Sequence, residues 1–347
     1  MNKKKKILSS LTFILIIFIF ASIFNFSKSD CEIKNNVSRK RSGKSSVIGF
    51  KSDKYLNEIE MIYDSNNFKV KEKDPKLDNI KNENSSKEDD YLYKEINKII
   101  SEETENLDGN WQVAVDSIRG KSNISIERKS SPKNISQTSA STIKIFVGIE
   151  TYRQVEEGIL AEKDVDEDIY LMLRNSNNEA TNRLIDLIGD KSMDKASKNV
   201  GRIIYKITGA NKTGLYTKMN QRGKNNLASA KDLNKGLIAI YDGKIVNEDH
   251  SKKMIKAMAN NTTTSKFKLL GKLPKGVKGL NKSGEYPDGG IENDAAIIDV
   301  GDSVFAISFM AEHPGAVSHK YGDQAIAMQN LGKRISEAYM KFDKDNE

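Results

Sequence analysis

With one cysteine, Cys31, in 347 residues, no disulfide can form within this chain. Histidine is nearly as scarce. His250 sits in a charged helical pattern, His313 directly precedes Pro314, and His319 is the third, so a serine–histidine triad finds little support. The same scarcity leaves no His/Cys/Asp cluster with ligand spacing, and neither a metal nor a cofactor is expected. A third absence is local: between Asp194 and Asp232 there is no Asp or Glu at all. No internal repeat is visible, and Asp288-Gly289-Gly290 reads as a hairpin turn rather than a phosphate loop.

Charge is abundant and mixed. Lys and Arg number 56 against 48 acids, a formal surplus of +8. The basic residues are scattered and accompany no basic helix with interleaved aromatics, so no nucleic-acid partner is expected. In an exported protein the surplus suits attraction to anionic cell-wall polymers, with a plain solvated surface as the simpler alternative.

Export is read from the beginning of the chain. Lys3 to Lys6 are four consecutive lysines, and residues 7–26 follow without a charge, mostly Ile, Leu and Phe. At about 1.5 Å per residue that run spans roughly the 30 Å core of a bilayer. It carries no Ala-x-Ala site, which favours an uncleaved signal anchor at 7–26 with residues 1–6 cytoplasmic and the remainder outside the cell membrane. A cleaved signal peptide, cut near Ser27 or Ser29, is the alternative and gives a secreted product. Residues 27–90 are rich in Lys, Asn, Ser, Asp and Glu; such composition cannot bury enough apolar area to offset its ordering entropy, and it reads as a flexible linker. Residues 91–347 are long enough for one domain, or two interleaved lobes.

Within that domain, Leu92, Ile96, Ile99 and Ile100 recur at helical spacing and predict a helix over 90–107, ended by Gly109. Residues 111–116 and 124–126 alternate as a strand hairpin. Helical patterning follows near 142–157, 166–174, 178–188, 191–200, 230–242 and 248–259. Three strands are expected at 279–285, 295–300 and 304–310. A closing helix over 321–342 should carry Ile326, Leu331, Ile335 and Tyr339 inside. Strands at both ends around a helical insert imply an α/β fold, its sheet built from distant segments beside an all-helical lobe, with a cleft between them.

Three short polar signatures could carry chemistry. Ser141-Thr-Ile-Lys144 opens a helix buried almost all round. There a serine sees the positive helix end, and a lysine partly withdrawn from water has a lowered pKa and can take the serine proton. Taken alone, the pattern reads more simply as an N-cap serine followed by a surface lysine. Ser130/Lys133, Ser192/Lys195 and Ser265/Lys268 share its spacing, the first in a polar loop and the second opening a helix beside Asp190 and Asp194. Ser176 and Asn178, in a polar break between two helices, would face one cleft in an extended loop, or simply cap a helix. Lys282-Ser283-Gly284 lies on a strand, where a cation and a hydroxyl suit carboxylate recognition and Gly284 permits close backbone approach; the plain reading is a basic turn.

In this order, Ser-x-x-Lys, Ser-x-Asn and Lys-Ser-Gly resemble the pattern of the penicillin-recognising serine enzymes. Ser141-Thr-Ile-Lys144-Ile-Phe-Val with the later Gln154-Val155-Glu156-Glu157-Gly158 looks like the class A β-lactamase helix. Residues 226–233 with Ile240-Tyr241-Asp242-Gly243 are similar to the helix that leaves that family's omega loop. The resemblance covers roughly residues 95–341. It implies a β-lactamase/transpeptidase-like fold, an antiparallel sheet of N- and C-terminal strands with flanking helices, and a site between sheet and helical lobe.

Carried over residue by residue, it makes Ser141 the nucleophile, Lys144 its base and Ser176 the proton shuttle to the leaving nitrogen. Asn178 would bind the substrate amide, Lys282 and Ser283 the substrate carboxylate, and the amides of Ser141 and Glu285 beside Gly284 would form the oxyanion hole. The implied activity is β-lactam ring opening. Two departures stand out. The acid-free stretch removes the omega-loop glutamate that activates the deacylating water, leaving Asn220, Gln221 and Asn226, which orient water but cannot take its proton. The stretch between Ser141 and Ser176 is short, which suggests an open cleft for a larger substrate. Asn177 stands where the family has an aspartate that supports loop structure. The rival readings are a peptidoglycan D-Ala-D-Ala carboxypeptidase or transpeptidase, an esterase-type wall enzyme, and a non-catalytic penicillin- or wall-binding sensor.

Overall fold

A computed structural model describes residues 87–262, 265–313 and 322–346. The expected anchor at 7–26, most of the linker and His319 lie outside the described residues. Among the described residues no helix is long and apolar enough to cross a membrane.

Helix α1 (Lys87–Thr104) begins inside the expected linker and leads to β1 (Asn110–Arg119) and β2 (Ser125–Lys129). After the short β3 (Gln137–Thr138), a 3-10 turn (Ala140–Ile143) runs into α2 (Lys144–Glu156). The helical lobe continues with α3 (Asp166–Asn175), α4 (Asn178–Ile188) and α5 (Met193–Thr208). β4 (Leu227–Ala228), α6 (Ala230–Tyr241) and α7 (Glu248–Ala259) follow. The chain returns as β5 (Lys278–Tyr286), β6 (Ile291–Asp299) and β7 (Val304–Glu312), and α8 (Asp323–Asp345) closes it. The sheet order is β2-β1-β7-β6-β5, antiparallel throughout, so N- and C-terminal strands share one sheet as expected.

Period-two alternation separates the two faces of the sheet. Val113 and Val115 of β1, Ala296 and Ile298 of β6 and Phe305, Ile307 and Phe309 of β7 form one core with α1 and α8. Phe305 stacks on Tyr339 with ring centroids 4.4 Å apart. Burying an aliphatic or aromatic side chain of this size contributes roughly 1.5–3 kcal/mol. The intervening residues meet α6 through a polar seam. The Ala230 amide donates to Gln112 at 3.0 Å, Asn234 donates to Asp116 at 2.8 Å, and Ser308 donates to Asn234 at 2.6 Å.

Helix α2 is buried on every side, as its Ile145, Phe146, Val147 and Ile149 require. Two expectations need correction. Helix α5 runs on to Thr208 rather than stopping near 200, because Ile203 and Ile204 extend its apolar face. Ile326 is 40% exposed while Leu331, Ile335 and Tyr339 are fully buried. Five residues of helix turn through about 500°, so positions 326 and 331 face nearly opposite ways.

Candidate active site

The 3-10 turn carrying Ser141 lies against β5, the edge strand of the sheet. Ser141 is therefore not the first residue of an α-helix, as its sequence suggests; the α-helix begins at Lys144. The close approach rests on Gly284. A Cβ there would stand 2.7 Å from Ser139 O, 2.9 Å from Ser141 N and 2.9 Å from Thr142 N. Glycine is the one residue type that lets these two backbones touch.

Lys144 is fully buried. Its Nζ donates to the Ser176 carbonyl at 2.7 Å, to Ser176 Oγ at 3.2 Å and to Asn178 Oδ1 at 2.7 Å. Burial, with the nearby Lys282 charge second, lowers the amine's pKa to about 6. Among the described residues no hydrogen bond joins Ser141 Oγ to Lys144; in this state the amine is turned toward the Ser176–Asn178 break. Catalytic hydrogen bonds of this kind commonly tighten only with substrate in place.

Ser176 and Asn178 converge as expected, but not through an extended loop. Ser176 is the left-handed C-cap of α3, φ 54°, Asn177 is the N-cap of α4, and Asn178 is that helix's first residue. The cap bond runs from the Ala180 amide to Asn177 Oδ1 at 2.8 Å, so this asparagine supports the loop.

Lys282, also fully buried, donates to Ser176 Oγ at 3.0 Å and to the Ser283 carbonyl at 2.7 Å. Burial lowers its pKa to about 8, partly offset by the Asp294 carboxylate. The Ser176 oxygen thus accepts from both lysines, which leaves its own proton to point elsewhere. Ser283 Oγ lies 2.7 Å from Ser265 Oγ, and the Glu285 side chain pairs with Lys268 at 3.1 Å. Lys268 also pairs with the buried Glu292. Beneath them, burial pushes Asp294 up to about 6, while Asn281 donates to both its oxygens at 2.9 Å.

The other Ser-x-x-Lys spacings separate cleanly. Ser192 is the N-cap of α5, accepting from Lys195 N at 3.3 Å, and Ser130 Oγ accepts from the Trp111 amide at 3.1 Å in an exposed turn. Ser265 and Lys268, by contrast, are buried beside Lys282-Ser283-Gly284. Their spacing was the only sequence signal, and it is shared with a cap and a turn. Asn182, one turn beyond Asn178, was missed as well. It accepts from Met219 N at 2.7 Å and donates to Met219 O at 3.1 Å, clamping the acid-free loop to the site wall. Asn226 accepts from the amides of Tyr216 and Thr217 at 2.6 and 3.0 Å and donates to Thr217 O at 3.0 Å. It is a loop tie and is not free to orient water.

The fold is that of the β-lactamases. A β-lactamase from Sphaerobacter thermophilus superposes with TM-score 0.56 at 18% identity, over 72% of this chain and 97% of that one. A class A β-lactamase from Mycobacterium abscessus gives TM-score 0.58 at 16% identity, over 71% and 99%. A mutant of PBP-A in an acyl-enzyme complex with penicillin G gives TM-score 0.58 at 17% identity, over 73% and 97%. No curated protein matches the chain at the sequence level. The profile of the beta-lactamase enzyme family matches residues 162–339. That span holds Ser176, Asn178 and residues 282–285, while Ser141 and Lys144 join the site through the contacts described above. Covering more than half of the chain, and agreeing with the fold, the match means that the chain belongs to the beta-lactamase enzyme family.

Proposed function

We propose that this protein is a serine hydrolase of the class A β-lactamase type, tethered outside the cell membrane, which opens β-lactam rings through an acyl-serine that clears slowly. The observation that carries the reading is the meeting of Lys144 and Lys282 at the Ser176 hydroxyl, with Asn178 on the same amine. Lys144, neutral above about pH 6, takes the Ser141 proton as Oγ attacks the ring carbonyl. The amides of Ser141 and Glu285 hold the oxyanion. Ser176 passes a proton to the departing ring nitrogen and regains one from the lysine side. Asn178 positions the substrate amide, and Lys282 with Ser283 hold its carboxylate.

Deacylation lacks its usual base. Residues 195–231 contain no carboxylate, and Asn226 is committed to the loop backbone. Loss of a general base costs about 10²–10⁴ in rate. The same observation favours a second reading, a peptidoglycan carboxypeptidase or transpeptidase, whose acyl-enzyme need not be cleared from a β-lactam. A sensor would keep the acyl group altogether. Progress curves with a chromogenic cephalosporin and, separately, a D-Ala-D-Ala muropeptide test the reading. A stoichiometric burst followed by a slow steady rate with the cephalosporin, and no D-alanine release, supports it. D-alanine release transfers it to the wall enzyme, and the absence of both burst and product removes it.

A further inference from the structure

Gly284 and Asn293 are cross-strand partners in the β5–β6 register. Gly284 leaves room for the turn that carries Ser141, while Asn293 grips the chain that leads into it. Asn293 is fully buried. Its Nδ2 donates to Thr138 O at 2.9 Å and Ser139 O at 3.1 Å, and its Oδ1 accepts from the Ala311 amide of β7 at 3.2 Å. The next residue after Ser139, Ala140, has φ 45°, a left-handed conformation that is strained for a non-glycine residue and persists only where the surroundings over-determine it. The surroundings here are specific. Ser139 N donates to Asn226 O at 2.8 Å, and Thr138 N to Glu312 Oε2 at 3.1 Å. Thr142 Oγ1 and N return to Ser139 O at 2.7 and 3.1 Å.

We propose that Asn293 is a positioning residue for the nucleophile turn: by holding the carbonyls of Thr138 and Ser139 it keeps Ala140 left-handed and aims the Ser141 amide and hydroxyl along the Gly284 backbone. It touches neither substrate nor reacting atoms, and it sets the geometry of one oxyanion donor together with the nucleophile. The inference rests on the reading of Ser141 as the nucleophile.

The test compares full-length wild type with Asn293→Ala, and with Asn234→Ala as a loss of a comparable buried amide in the seam between sheet and α6. The readouts are the rate constant for acylation by benzylpenicillin across pH, and the Ala140 φ in the variant's crystal structure. Asn293→Ala is expected to slow acylation about 10- to 100-fold, the scale of a misplaced reacting group. Its acid limb should stay where the wild type has it, Ala140 should relax to negative φ, and Asn234→Ala should acylate within about threefold of wild type. Acylation by Asn293→Ala within threefold of wild type, or Ala140 still left-handed, overturns the proposal. If Asn293→Ala does not fold, Asn293→Ser with Ala140→Gly supplies the answer: non-additive losses support a shared action, and additive ones overturn it. A wild type that forms no acyl-enzyme refutes the nucleophile reading, and the Ala140 φ then decides the positioning claim alone.

Discussion

Lys144 and Lys282 meet at one oxygen: both donate to Ser176 Oγ, at 3.2 and 3.0 Å, from opposite lobes of the fold. Burial is the largest cause of the lowered pKa at each of them. The Lys282 charge makes Lys144 easier to deprotonate, while at Lys282 the Asp294 carboxylate and the Lys268 charge pull in opposite directions. On the proposed reading the two lysines divide the work, one neutral as a base and the other charged toward an anionic substrate group.

The pH profile of Ser141 acylation should consequently be bell-shaped. The rate rises through about pH 6 as Lys144 loses its proton and falls above about pH 8 as Lys282 loses its charge. Acylation rate constants from pH 4.5 to 9.5 check this. A profile flat across that range would mean that neither lysine titrates in the reaction.

Stability carries the signature of the same lysine. The folded pKa of Lys144 lies below the unfolded value of about 10.4, so the unfolded chain binds the extra proton between about pH 6 and pH 10. Stability contributed by this group is therefore lowest below pH 6 and recovers as pH rises through that window. Lys144→Met removes the slope. The Tm difference, variant minus wild type, should be most positive near pH 6 and shrink steadily toward pH 9. A difference independent of pH would contradict the buried, deprotonated amine.

Much of this was legible in the sequence. The order of Ser141/Lys144, Ser176/Asn178 and Lys282/Ser283/Gly284 pointed to residues that the fold brings together from a 3-10 turn running into a helix, a helix break and an edge strand. Period and punctuation placed nearly every element. What stayed hidden needed partners distant in the chain. Asn293 reads as an ordinary strand polar residue until its amide is seen on the carbonyls of Thr138 and Ser139. Asn226 looked available for water until its three loop bonds accounted for it. Lys268 shared its spacing with a cap and a turn, and only the β5–β6 pairing brings Glu292 to it.

That ion pair is a sensitive point. Lys268 and Glu292 both have side chains only 5% exposed. Removing one partner of a buried pair costs about 3–5 kcal/mol, because the remaining charge stays buried. Lys268→Met should lower the urea midpoint sharply, and adding Glu292→Gln should recover a large part of the loss. Equal midpoints for wild type and Lys268→Met would show the pair to be solvated in solution.

Turnover should be limited by the acid-free loop. Met219 is tied through its backbone to Asn182, on the helix that begins with Asn178, so a carboxylate introduced there sits on a loop segment fixed beside that helix. Met219→Glu is expected to raise the deacylation rate constant by about 10-fold or more, within the range a general base supplies, with acylation little changed. Stopped-flow acylation and adduct decay separate the two steps. Unchanged decay would place the missing base elsewhere.

The central claim, an acyl-serine at Ser141, is met most directly by a time course of intact mass on the full-length protein mixed with benzylpenicillin, beside Ser141→Ala. The account predicts one added ligand mass that maps to the peptide containing Ser141, is absent from Ser141→Ala, and decays over hours. No adduct on the wild type together with no ring-opened product, or an adduct that survives Ser141→Ala, would contradict it.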